Sequence, residues 1–141
     1  MAAGDDGAKL RRAIEAQDAG TLAVLLRDGA SPNIDLDRAR GAPTADARLP
    51  ALSYAVHRGC VTCTKVLLAA GADPNIADRS GDFPLHTAIA ATGPANEVAL
   101  VTALINAGAR TDAKNKRGET PAIMAERLGR TESLRVLQAS P

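Results

Sequence analysis

Leu67-Leu68-Ala69-Ala70-Gly71-Ala72-Asp73-Pro74-Asn75 is the stretch on which the reading of this chain turns. An aliphatic run ends at a Gly-Ala pair and is followed by a turn sequence. Glycine accepts the left-handed position just past a helix end, which side chains disfavour, so the stretch predicts a helix that stops before Gly71. Ala72 keeps neighbouring backbones close, and Asp73-Pro74-Asn75 suits a chain reversal. The same signal occurs at Val24-Leu25-Leu26-Arg27-Asp28-Gly29-Ala30 and at Ala103-Leu104-Ile105-Asn106-Ala107-Gly108-Ala109. The glycines are 42 and 37 residues apart. Both spacings exceed a repeat of about 33 residues, which implies insertions.

A second signal lies downstream of two of these. Asp78-Arg79-Ser80-Gly81-Asp82-Phe83-Pro84-Leu85-His86-Thr87-Ala88 and Asn115-Lys116-Arg117-Gly118-Glu119-Thr120-Pro121-Ala122-Ile123-Met124-Ala125 run in parallel. Gly81 and Gly118 permit a tight turn. Pro84 and Pro121 suit the first helical turn, where no amide donor is needed, and Thr120 suits an N-cap. Gly71 to Ala88 and Gly108 to Ala125 are both 17 residues, which fixes the register.

With these motifs in phase, the chain resembles the ankyrin-repeat family. Its Thr-Pro-Leu-His helix start appears as Phe83-Pro84-Leu85-His86 and, degraded, as Thr120-Pro121-Ala122-Ile123. The resemblance covers about residues 9–139 and implies an all-α solenoid of about four helix-turn-helix units with β-hairpin-like finger loops. The expected units are 9–34, 35–77, 78–114 and 115–139, after a flexible amino terminus over 1–8. Their inner helices are Leu10–Gln17, Ala51–Arg58, Pro84–Ala91 and Pro121–Leu128. Their outer helices are Thr21–Asp28, Val61–Ala70, Ala95–Ala107 and Thr131–Ala139. Charges mixed into the first and last units read as polar ends of a complete array. Gln17 stands where the inter-helix glycine is expected, and Leu49-Pro50-Ala51-Leu52-Ser53 replaces the usual start of the second unit. Extra residues fall within 34–49, an enlarged finger, and around Thr92-Gly93-Pro94-Ala95.

Composition agrees with one domain. The chain has 141 residues, 30 of them alanine, with one Phe, one Tyr and no Trp. Its core must be assembled from small and aliphatic side chains. Seventeen basic and sixteen acidic residues give a net charge of +1. That balance, with no aromatic stacking platform, argues against a nucleic-acid binder. No apolar run suits a membrane span and the amino terminus lacks the pattern of a signal peptide, so a cytoplasmic or nuclear protein with free thiols is expected.

Chemical motifs are sparse. No nucleophile elbow, phosphate-binding glycine loop or His-Glu-x-x-His pair is present, and neither catalysis nor a cofactor is expected. His86 occupies the family's structural slot, where the resemblance implies that its imidazole bonds neighbouring loop backbone. Asn33 and Asn75 read as turn formers at positions that eukaryotic relatives can hydroxylate. His57, Cys60 and Cys63 form a His-x-x-Cys-x-x-Cys string at an outer-helix start. A thiol- or zinc-dependent sensor centred on Cys60 and Cys63 is the alternative function, although a structural zinc site wants four ligands. The leading expectation is a non-catalytic protein-binding module, monomeric by itself. Its concave face carries Arg38 and Arg40 on the enlarged finger, and Tyr54, His57, Arg58 and Arg127 on inner helices. Arg79, Ser80, Asp82 and Phe83 come from one finger, and Lys116, Arg117 and Glu119 from the next. Arginine suits carboxylates, so the expected partner is an acidic or mixed-charge protein segment.

Overall fold

The computed structural model describes residues 3–36 and 49–139. Arg38, Arg40 and most of the enlarged finger lie outside the described residues. Eight helices follow one another: α1 (Ala3–Glu15), α2 (Ala19–Arg27), α3 (Ala51–His57), α4 (Val61–Ala69), α5 (Pro84–Ala91), α6 (Pro94–Asn106), α7 (Pro121–Leu128) and α8 (Thr131–Ala139). They stack in two layers. The inner layer runs α1, α3, α5, α7 and the outer layer α2, α4, α6, α8, each helix packed on the next in its layer and on its partner across the layers. Among the described residues there is no strand, only an isolated antiparallel bridge between Asp35 and Pro50 at the base of the enlarged finger. The chain is an all-α repeat solenoid.

The helix ends follow from their local sequence. Gly29, Gly71 and Gly108 have φ of 112°, 98° and 96°, and the alanine after each donates its N–H back to Leu25, Leu67 and Leu104. Three copies of one C-terminal motif thus satisfy carbonyls that would otherwise be orphaned. At the other end, Pro84, Pro94 and Pro121 occupy the first helical turn, and the Thr120 hydroxyl accepts the Ile123 N–H at 3.2 Å. The fingers are tight turns closed by backbone bonds, Asp78 to Asp82 and Asn115 to Glu119, rather than strand ladders.

Leu10, Ile14, Leu22, Leu52, Val56, Leu67, Leu85, Ile89, Leu100 and Leu104 form the core, with the alanines Ala51, Ala55, Ala88 and Ala125 fully buried between helices. Small residues let neighbouring units approach closely, so polar side chains in the turns after the outer helices reach the next unit. Asn33 Oδ1 accepts the Asp73 N–H at 2.7 Å. Asn75 Oδ1 accepts the Arg110 N–H at 2.8 Å while its Nδ2 donates to the Gly108 carbonyl at 3.1 Å.

Of three local features, two differ from the sequence expectation, and one, the third outer helix expected over Ala95–Ala107, is met within a residue. Helix α1 begins at Ala3 rather than Leu10. Alanine-rich sequence and acidic residues near a helix amino end favour that extension. Helix α6 has 13 residues where α2, α4 and α8 have 9. The four inserted residues therefore form an extra first turn of helix, Pro94–Glu97, and only Thr92 and Gly93 link it to α5. That turn clamps the stack on both sides: Asn96 Nδ2 donates to the Gly59 carbonyl at 3.3 Å, and Glu97, 4% exposed, accepts the Ser133 hydroxyl at 2.7 Å and faces Arg130 Nε at 3.4 Å. The other difference is that Cys60 and Cys63 are joined as a disulfide rather than free. Their three-residue spacing across a helix start brings the sulfurs together, and Cys60 Sγ also takes the Cys63 N–H at the first turn of α4. Both are buried, Cys63 in the aliphatic core slot its repeat position predicts.

Two stability predictions follow from these features. Gln17 has φ of 53°, in the region that side chains disfavour, where Gly59 and Gly129 serve the equivalent turns. Relief of ~1–2 kcal/mol of backbone strain outweighs the entropy glycine adds to the unfolded chain, so Gln17→Gly raises stability by about 0.5–1 kcal/mol in urea denaturation. Glu97→Ala leaves the buried Ser133 hydroxyl without its acceptor and Arg130 without its counter-charge. It lowers stability by about 1–3 kcal/mol in the same measurement, and Glu97→Gln costs less.

Candidate protein-binding face

The inner helices and finger tips build one continuous concave face. A groove of ≈ 510 Å³ between units two and three is lined by Tyr54 and His57 of α3, Asp78, Arg79, Ser80 and Asp82 of the finger, and Thr87 of α5. A second of ≈ 460 Å³ between units three and four is lined by Lys116, Arg117, Met124, Arg127 and Leu128. Both include Ser80, Asp82 and Ala90, so they are segments of a single path.

The fingers are preorganised. Asp78 Oδ1 accepts the Ser80 and Asp82 N–H groups at 2.9 and 3.2 Å, and Asn115 Oδ1 does the same for Arg117 and Glu119. Asn115 Nδ2 donates to Asp82 Oδ1 at 3.1 Å, and Lys116 Nζ donates to the Arg79 carbonyl at 3.0 Å, so each finger is tied to the next. Gly81 is required here twice over: its φ is 81°, and a Cβ would run into the Lys116 side chain.

Most of the sequence-singled residues converge, but not all as open contacts. Arg79, Ser80, Lys116, Arg117 and His57 are exposed along the path. Arg127 forks onto Glu119, with Nε and Nη2 at 2.7 and 3.1 Å from its carboxylate. Tyr54 is half-buried, its hydroxyl donating to Glu15 at 2.7 Å, and burial followed by that carboxylate pushes its pKa up. Phe83 does not line either groove. Its ring lies against His86, centroids 5.9 Å apart, at the base of the finger. Arg58 is exposed beyond the groove wall.

His86 is fully buried and structural. The Phe83 N–H donates to Nδ1 at 3.2 Å and Nε2 lies 2.9 Å from the Glu119 carbonyl, which requires the neutral tautomer with its proton on Nε2. One contributor went unnoticed in the sequence. Arg11 of α1 lines the groove and stacks on Tyr54, 4.9 Å from the ring centre. Its spacing of four from Glu15 puts both on one helix face, the signal that could have revealed it.

The family described as ankyrin repeats (3 copies) matches residues 10–115 and 52–140. The chain belongs to the ankyrin-repeat family. It is 43% identical over 67 residues, 48% of its length, to human neurogenic locus notch homolog protein 4, of which that covers 3%. It is 47% identical over 60 residues, 43% of its length, to the Drosophila melanogaster protein fem-1 homolog CG6966, of which that covers 9%. The matched segments are thus under a tenth of either relative. Ankyrin repeats are generally protein–protein interaction modules. Among the described residues no helix is long and apolar enough to cross a membrane, and no group of three or more His, Cys, Asp or Glu side chains is placed to hold a metal.

The Arg127 hydrogen bond holds the Glu119 carboxyl below its ordinary value. A depressed folded-state pKa contributes stability above the unfolded value of 4.5 that disappears as pH falls through the folded one. Wild type therefore exceeds Glu119→Gln in urea midpoint at pH 7, and the gap narrows when both are measured near pH 3. A gap that is the same at both pH values contradicts the pairing.

Proposed function

We propose that this ankyrin domain is a non-catalytic binding module whose concave groove receives an acidic or mixed-charge protein segment, acting as a scaffold, inhibitor or regulatory subunit. The observation that carries this reading is the continuity of the groove. It aligns Arg11, His57, Arg79, Lys116 and Arg117 along one path. Two carboxylates lie on the same path, Asp78, which accepts its own finger's N–H groups, and Asp82, which accepts from Asn115, while Arg127 is paired with Glu119 behind it. Arg11, Arg79, Lys116 and Arg117 outnumber Asp78 and Asp82 along the path, so the field met by an arriving chain is net basic, although the net charge of the whole protein is only +1. Fingers fixed in advance by hydrogen bonds also reduce the ordering cost of association.

The test is affinity capture with the wild type and with the Arg79→Glu/Arg117→Glu double variant, with bound chains identified by mass spectrometry. A specific partner retained by the wild type and bound about 10-fold or more weakly by the variant, with helical circular dichroism unchanged, supports the reading. Equal capture by both proteins refutes it.

A further inference from the structure

The inner wall of the path is not of even height. At the seventh position of α3, α5 and α7 stand His57, Ala90 and Arg127, and the next residues are Arg58, Ala91 and Leu128. Units two and four thus carry longer side chains where unit three carries two methyl groups. Both alanines are exposed and outside the core, so packing does not dictate their size. Ala90 lines both grooves and Ala91 the first, so the two spaces, of ≈ 510 and ≈ 460 Å³, meet over α5 where the wall drops. His57 borders this dip on one side, and Leu128 and Met124 on the other. Of the large apolar side chains that stand exposed among the described residues, Val24, Ile123 and Leu128, only Leu128 borders the path. Arg79 lies on the finger at one groove and Lys116 and Arg117 on the finger at the other.

We propose that the dip over Ala90 seats an aliphatic side chain of the bound segment, and that this residue lies between two carboxylates that meet Arg79 and Arg117. The proposal rests on the acidic-segment reading and adds the pattern recognised. A charged side chain over Ala90 and Ala91 would shed water against methyl groups that offer nothing in exchange. An aliphatic one buries its surface on those methyls, Leu128 and Met124, inside a charged rim, which is the usual build of an interface hot spot. The flanking acids follow from charge complementarity with two arginines one unit apart. Packed helices lie about 8–10 Å apart and an extended chain advances about 3.3 Å per residue, so one unit corresponds to about three residues. The recognised pattern is therefore two acids about three residues apart with an aliphatic residue between them.

The probes are three short Gly-Ser peptides with Glu-Ala-Leu-Glu, Glu-Ala-Ala-Glu or Lys-Ala-Leu-Lys at the centre. They are titrated at low salt into the 15N-labelled chain and followed by amide NMR shifts. With Glu-Ala-Leu-Glu, saturable shifts centred on Ala90, Ala91 and the two fingers are expected. Replacing its leucine by alanine raises the midpoint about 5-fold or more, through the apolar surface no longer buried. In Ala90→Leu the chain's own side chain fills the dip, so the leucine peptide loses its advantage over the alanine one. Helical circular dichroism stays unchanged, because leucine is a good helix former at an exposed position. No saturable binding of Glu-Ala-Leu-Glu, equal midpoints for the two Glu peptides, or a leucine preference that survives in Ala90→Leu overturns the proposal. So do the same shifts on raising the protein concentration alone, which make the occupant a second copy. Equal binding of both Glu peptides, tighter than that of Lys-Ala-Leu-Lys, removes the aliphatic anchor and leaves the acidic-segment reading standing. Binding of Lys-Ala-Leu-Lys as tight as that of Glu-Ala-Leu-Glu overturns the flanking acids and that reading together.

Discussion

A pair of short helices cannot bury its own apolar stripe, and every other property of this protein is a response to that constraint. Each unit must close its core against a neighbour, so the seam between units has to be dry, tight and in register. The chain meets the first two needs with alanine and aliphatic residues. Ala51, Ala55, Ala88 and Ala125 on the inner helices have no exposed surface, and leucines fill the space between the layers. Register comes from polar side chains that cross the seam to backbone atoms: Asn33 to Asp73, Asn75 to Gly108 and Arg110, His86 to Glu119, Asn96 to Gly59, and Lys116 to Arg79. Backbone donors and acceptors are fixed by the fold, so these bonds tolerate no slip of one unit along another.

The same seam bonds shape the binding face. Fingers tied from one unit to the next hold their exposed arginines at a fixed spacing. Asp78 and Asp82 keep their charge inside the finger turns, whereas Glu119 is cancelled by its ion pair. The charge that a partner meets is therefore decided less by overall composition than by which charged groups the fold lines up and which it pairs. Glu119 illustrates this: the sequence offers it as a contact, while the structure spends its carboxylate on Arg127.

What the sequence disclosed divides along the range of the interaction involved. The Gly-Ala helix ends, the Thr120 cap and the proline starts are local signals, and the structure has them where the motifs put them. The convergence of Arg79, Ser80, Asp82, Lys116 and Arg117 was legible because repeats convert sequence period into spatial alignment. The insertion around Thr92-Gly93-Pro94-Ala95 was legible too, and the outer helix expected over Ala95–Ala107 runs Pro94–Asn106, because proline suits a first helical turn. Long-range contacts were read less well. The Glu97–Ser133–Arg130 cluster spans 36 residues and has no local signature. Arg11 escaped notice because its role depends on Tyr54, 43 residues further along. The free-thiol expectation rested on cysteine count, which says nothing of where two sulfurs meet.

Irregularities in a repeat carry information that the regular positions cannot, because a regular position is already explained by the stack. The start of α3 departs from the pattern at two coupled places. An imidazole at the third residue of α3, the place of His86 in α5, needs a donor from the residue before the helix, and Pro50 has none to give, so a histidine at position 53 would keep a ring nitrogen buried and unpaired. Serine avoids that cost, yet its own hydroxyl is buried at the edge of the groove without a hydrogen-bond partner. Packing alone would favour an apolar residue there, since a buried hydroxyl with no partner lowers stability.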